Sequence, residues 1–135
     1  MGRLAPNVSG DLVRVALREA HPAGLTLRQL VAATQLTPAQ VSTGLRFLRD
    51  TLAALGLPPL VWSRRDGYRH TDDPAVLVAY ERAFIRTELT RIARLLSGTV
   101  IPHAQRLPDD EWAELILGQL TGVKSALSLL VRVGQ

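Results

Sequence analysis

A mostly α-helical chain with one small β-hairpin is the fold class the sequence predicts, and three observations carry it. Apolar residues recur at three- and four-residue spacing over most of the 135 residues. Ser, Thr, Asp and Pro introduce those runs, and Gly follows several of them, as helix starts and stops require. Only one pair of β-prone runs, Leu60-Val61-Trp62-Ser63-Arg64 and Tyr68-Arg69-His70-Thr71, is joined by a hairpin dipeptide, Asp66-Gly67. The length fits one compact domain, or a small domain with an appended oligomerisation arm.

Taken in order, Ser9 and Asp11 mark the expected start of a first helix reaching about Ala20, with Leu12, Val13, Ala16, Leu17 and Ala20 on one face and His21-Pro22-Ala23-Gly24 as its stop. Thr26 caps a short second helix, Leu27 to about Thr34, whose Leu27, Leu30 and Val31 form an apolar face. After Gln35-Leu36-Thr37, a Thr cap, Pro38 at the first helical position and Gln40 three residues past the cap announce a third helix ending at Gly56. With Asp66-Gly67 as a two-residue turn, Arg65 faces Tyr68 and Arg64 faces Arg69 across the hairpin. Asp73-Pro74 starts a long fourth helix, expected to run to about Leu96 and close at Gly98. Thr99 to Pro108 reads as a loop, and Asp109 as the cap of a fifth helix reaching about Arg132. The domains expected are residues 8–73 and a helical oligomerisation region, 74–135.

Composition narrows the chemistry. The absence of cysteine removes thiol catalysis, thiolate metal sites and disulfides. Residues 1–11 lack the apolar run of a signal sequence, and no window reaches the roughly 18 apolar residues needed to span a bilayer, so a soluble, cytoplasmic protein without a membrane segment is expected. The formal net charge is +4, and of 16 cations all but Lys124 are arginine. Six of those arginines and only two acids, Asp50 and Asp66, fall between Arg28 and Arg69. Arginine forks onto phosphates and guanines, so a polyanionic partner is indicated. His21, His70 and His103 fall on different elements. The one local metal-like group, His70 with Asp72 and Asp73, is better explained with Asp73 as a helix cap, so no metal or cofactor is expected. No nucleophile elbow, phosphate loop or paired-carboxylate motif frames the remaining polar residues, and no enzymatic activity is expected.

Three helices, the last two joined tightly, followed at once by a basic hairpin form the order of a winged helix-turn-helix. On the third helix Val41, Leu45, Leu48 and Leu52 make the buried stripe, while Ala39, Ser42, Thr43, Arg46 and Asp50 occupy the opposite arc. Small and hydroxylic side chains there let the backbone enter a groove, and Arg46 has the fork for guanine or phosphate. Gln40 has the amide to read adenine, in competition with its role in the cap. Gly44 is read as a site of close packing. Leu36-Thr37-Pro38-Ala39-Gln40-Val41-Ser42-Thr43-Gly44-Leu45-Arg46-Phe47-Leu48-Arg49-Asp50 resembles the turn and recognition helix of small bacterial repressors of the ArsR, MarR and PadR kind, and Leu60-Val61 with Ser63-Arg64-Arg65-Asp66-Gly67-Tyr68-Arg69 resembles their wing. The likeness covers about residues 10–72 and does not single out one family. It departs in lacking the cysteines of metal-sensing members and in having Pro58-Pro59 before the wing. The expected contacts to double-stranded DNA are Arg28, Thr37, Ala39, Gln40, Ser42, Thr43, Arg46, Arg49, Arg64, Arg65 and Arg69. Trp62 and Tyr68 are read as wing-root packing.

The two long helices carry more apolar surface than one pair can cover: Leu115, Leu117, Leu129 and Val131 lie beyond the main stripe of the last helix. A homodimer is the expected reason, through Leu77, Tyr80 and Phe84 of one helix and Trp112, Ile116, Leu120, Val123, Leu127 and Leu130 of the other. The resulting expectation is a dimeric, sequence-specific DNA-binding regulator, a repressor of a bacterial, plasmid or phage operon. An origin, partition or recombination accessory protein and a winged-helix protein scaffold remain open beside it.

Overall fold

The computed structural model describes residues 4–133 of a chain that divides into two compact units, Met1–Tyr80 and Glu81–Gln135. The class is the expected one, helices with a single two-stranded antiparallel hairpin. In the first unit α1 (Pro6–Ala20), α2 (Leu27–Thr34) and α3 (Pro38–Leu55) precede β1 (Leu60–Ser63) and β2 (Gly67–His70). Helix α4 (Pro74–Leu95) runs from the first unit into the second, where α5 (Ile101–Arg106) and α6 (Glu111–Arg132) follow.

Helix α1 starts earlier than the expected Ser9 and Asp11, because Pro6 with its preset φ opens it behind Ala5. Ser9 and Gly10 are thereby placed inside the helix and buried against α3. A Cβ added at Gly44 would meet Ser9 O at 2.7 Å, and one at Gly10 would meet Phe47 Cδ1 at 2.6 Å. The two helices therefore cross nearly backbone to backbone, which is the packing role read for Gly44. Val13, Leu17, Leu30, Val41, Leu45 and Leu48 close the core around that crossing. Leu27, expected on the core face of α2, stays 39% exposed.

Helices α2 and α3 both carry complete capping boxes. Thr26 N donates to Gln29 Oε1 at 2.8 Å while Gln29 N donates to Thr26 Oγ1, and Thr37 and Gln40 repeat the exchange at 2.9 and 3.1 Å. Between them Gln35 takes the left-handed conformation (φ 59°) and Leu36 drops into the core. Gly56 ends α3, also left-handed at φ 64°.

The hairpin register departs from expectation. Trp62 pairs with Tyr68, Val61 with Arg69 and Ser63 with Gly67, leaving Arg64-Arg65-Asp66 as a three-residue loop. Arg64 therefore does not face Arg69, and the like-charge opposition expected there does not arise. Gly67 at φ 73° makes the turn, and Ser63 Oγ accepts from Asp66 N at 3.0 Å. A further bridge fixes the register: Leu25 and Tyr68 exchange both backbone hydrogen bonds at 2.8 Å, so Leu25 acts as a one-residue third strand. Its backbone lies where any Cβ on Gly67 would have to go. Pro58 and Pro59 extend the hairpin, since Pro58 O accepts from the His70 ring and Pro59 O from Thr71 N.

Two expectations fail in the second unit. Gly98 does not close α4. The helical path continues through a π-helical turn, Leu96–Val100, in which Ile101 N donates five residues back to Leu96 O, and then into α5. The extra residue leaves Pro102 in the first turn of α5, where no N–H is called for, so the expected loop from Thr99 is largely helix. The cap of α6 is Asp110 rather than Asp109: its Oδ1 accepts from Trp112 N at 2.9 Å and Ala113 N at 3.3 Å. Leu96, Val100 and Ala113 are buried here. The expectation that no window is apolar enough to span a bilayer also fails: α6 is long and apolar enough by length and average composition to cross a membrane, and none of its most apolar 18-residue window is buried within the chain.

Candidate nucleic-acid interface

Helix α3 is sorted by its own periodicity. Val41, Leu45 and Leu48 are buried, whereas Ala39, Ser42, Arg46, Arg49 and Asp50 are exposed and Thr43 is half-buried. The outer arc thus has small side chains in its first turns and a free arginine in the next. Gln40 and Thr37 are spent on each other in the capping box, although Gln40 Nε2 keeps its donors. The competition noted for Gln40 therefore goes to the cap at its Oε1. Arg28 is exposed in the first turn of α2, three residues from the Leu25 bridge to the hairpin.

Beside α3 stands the hairpin. Arg64 and Arg65 occupy its exposed loop; the Arg65 side chain is 93% exposed and is only loosely associated with Asp66, at 3.9 Å. Arg69 lies half-buried opposite Val61. One contact not anticipated from the sequence joins the two elements: the Arg49 guanidinium carbon sits 5.5 Å from the centroid of the Tyr68 ring. Tyr68 in turn lies 6.4 Å from Trp62 at an interplanar angle of 54°. Tyr68 packs on the core as the wing-root reading expects, while Trp62 remains 45% exposed. Arg49, assigned to DNA on charge alone, therefore also braces the hairpin against α3. The two residues lie 19 positions apart in the sequence, so no local spacing announces the contact.

No group of three or more His, Asp or Glu is arranged to hold a metal ion among the described residues. Asp73, the one acid shared between a metal reading and a helix start, caps α4 by accepting from Ala75 N at 2.9 Å. The side chains expected to form a dimer contact divide. Leu77, Tyr80, Ile116, Leu120 and Leu127 are half-buried within the chain, while Phe84, Trp112, Val123 and Leu130 are exposed. His103 Nε2 lies 2.9 Å from Asp110 Oδ2; this partner first, and then the Ala113 N–H, hold the Asp110 carboxyl below its ordinary range. Comparison with protein-family models, curated proteins and solved structures finds no match for this chain.

Proposed function

We propose that the chain is a sequence-specific double-stranded DNA-binding protein of winged helix-turn-helix type, acting as a homodimeric, cytoplasmic transcriptional regulator without enzymatic activity. The observation that carries this reading is the outer face of α3. Its opposite side is committed to the core, its first turns present Ala39, Ser42 and Thr43, and Arg46 is exposed beyond them. Small side chains at the start of a helix admit its backbone to the major groove, and an arginine one turn on can fork onto guanine O6 and N7.

Around that face the cations have a division of labour. Arg28 at the start of α2 and Arg64 and Arg65 in the hairpin loop lie on either side of α3 in sequence, on exposed backbone turns suited to phosphate contact. Arg49 serves less as a reader than as a strut, keeping the hairpin and α3 in one register through Tyr68. A homodimer would set two such faces on half-sites of an inverted repeat, about 10 to 10.5 base pairs apart or a multiple of that. Solubility rests on the polar arc of α6, where Glu114, Thr121, Ser125 and Arg132 follow one another along the helix.

Selection of bound fragments from a random duplex pool tests the reading. Enrichment of an inverted repeat is expected. Arg46→Ala is then expected to lower the preference for that site over random duplex by about 1–3 kcal/mol, with the fold intact because Arg46 points away from the core. A pool that returns no enriched sequence, or an unchanged preference for Arg46→Ala, overturns the assignment of α3 as the reading helix.

A further inference from the structure

Helix α6 is apolar on two sides, and its own chain covers one. Ala113 is buried and Ile116, Leu120 and Leu127, on the same side of the helix, are half-buried. On the far side Leu115 and Leu129 are each 55% exposed, and Trp112 (60%) and Leu130 (55%) are exposed on the arc between the two sides. At 100° per residue, Leu115, Gly118, Gly122, Ala126 and Leu129 fall within one arc of about 80° centred on Gly122. We propose that this far face is where a second copy of the chain docks, the two α6 helices running antiparallel and crossing at Gly122. The inference gives a surface to the homodimer in the reading above and rests on that dimer, not on contact with DNA.

Two features of the face select a second copy. Its order of large, small, small, small, large reads the same in both directions about Gly122. A two-fold axis there brings Leu115 of one protomer onto Leu129 of its partner and Gly118 onto Ala126, the self-complementarity an isologous interface demands. The charges agree. Glu114 in the first turn of α6 and Arg132 in the last lie along one edge of the face, and Glu111 lies at its N-terminal end. Antiparallel packing lays the acidic turn of one helix beside the basic turn of the other and opposes the two helix dipoles.

The glycines make the close approach possible. Neither Gly118 nor Gly122 has any heavy atom of the chain within 4 Å of where a Cβ would stand, so nothing inside the protomer requires them. Both lie in the middle of a helix, where glycine is less stable than alanine, and neither adopts a left-handed conformation. A bilayer is a poorer occupant, since Glu111 lies within the face and Glu114 and Arg132 leave the same helix along its edge.

Cysteine cross-linking of the full chain tests the docking, and the natural absence of cysteine makes each introduced thiol unique. Leu115→Cys chains mixed with Leu129→Cys chains are expected to form a covalent dimer on mild oxidation. Neither variant alone is expected to do so, because like positions stand 14 residues, about 21 Å of helix, apart. Gly122→Leu, a change that favours the helix itself, is expected to raise the dimer dissociation constant at least about tenfold in sedimentation equilibrium with helical content undiminished. Cross-linking of Leu115→Cys with itself, an unchanged dimer in Gly122→Leu, a native mass near one chain of 14.7 kDa, or recruitment of a monomer to anionic phosphatidylglycerol vesicles each overturns the proposal. Duplex binding measured on the same samples separates the two readings: an altered dimer that still binds random duplex leaves the α3 assignment standing, and a cross-linked dimer that binds no duplex removes it.

Discussion

Gly44 and Gly122 each sit near the middle of a long helix, yet the space around them is opposite. Gly44 is filled to the limit by the backbone of α1, whereas nothing stands near Gly122. The two units differ in the same way. The first closes a core of Val13, Leu17, Leu30, Val41, Leu45 and Leu48 with its own chain, while the second buries Leu96, Val100 and Ala113 and leaves long apolar side chains on α6 in solvent. A helical glycine is a device for close approach, and in the first unit both backbones belong to one protomer. In the second unit Gly118 and Gly122 have no such backbone beside them within the chain, and the docking proposed above would supply it.

The largest expected effects test how closed the first unit is. Leu30→Ala empties a fully buried site and is expected to cost about 2–5 kcal/mol in denaturant unfolding. Leu129→Ala, with its side chain in solvent, is expected to stay within about 0.5 kcal/mol when measured at concentrations where the chain is monomeric. A comparable loss at both positions would erase the contrast between the units. Next in size, Gly44→Ala forces a methyl onto Ser9 O and is expected to destabilise by about 1–3 kcal/mol. Gly118→Ala under the same monomeric conditions is expected to be neutral or to stabilise by up to about 1 kcal/mol.

Smaller effects sharpen the account locally. Arg49→Ala is expected to cost about 0.5–1 kcal/mol by removing the cation from the Tyr68 ring, with Trp62 fluorescence reporting a loosened hairpin. At the entry to α6 the sign of the pH dependence is fixed by Asp110. Its folded carboxyl titrates below the ordinary value of 3.8, so the cap contributes stability above that value and loses it as the pH falls through the lowered one. Asp110→Asn keeps a capping oxygen without the charge, and acid titration of its helicity is expected to flatten in that range. An acid response identical to that of the parent would mean that other carboxylates govern it.

Much of the fold was legible because its signals are local. Thr26, Thr37, Pro38 and Gly56 act within one helical turn, and each lies where its chemistry requires. Misreadings arose where a distant partner decides. Ser9 has the chemistry of a cap, but Pro6 starts the helix and α3 buries Ser9. Asp66-Gly67 announces a hairpin correctly, yet its register is set by Leu25, a single residue with no periodic pattern to read. Gly98 has the identity of a helix stop, but a π-turn ahead of Pro102 carries the chain onward. Asp109 and Asp110 are equivalent as residues, and the nearby His103 partners the second. The same holds for the candidate interface: the outer arc of α3 follows from periodicity, while the Arg49–Tyr68 contact needs the folded register.

The central claim, that α3 and the hairpin loop together meet a duplex, is tested most directly by the salt dependence of binding to random double-stranded DNA. Withdrawing one cation from a phosphate makes the slope of log affinity against log salt shallower by about 0.9. The double variant Arg64→Ala, Arg65→Ala removes two exposed loop arginines that make no contribution to the core. The account predicts a slope shallower than the parent's by about 1.8 if both arginines meet phosphates, with affinity reduced for all sequences alike and the unfolding midpoint unchanged. A double variant with the parental slope and affinity would contradict it.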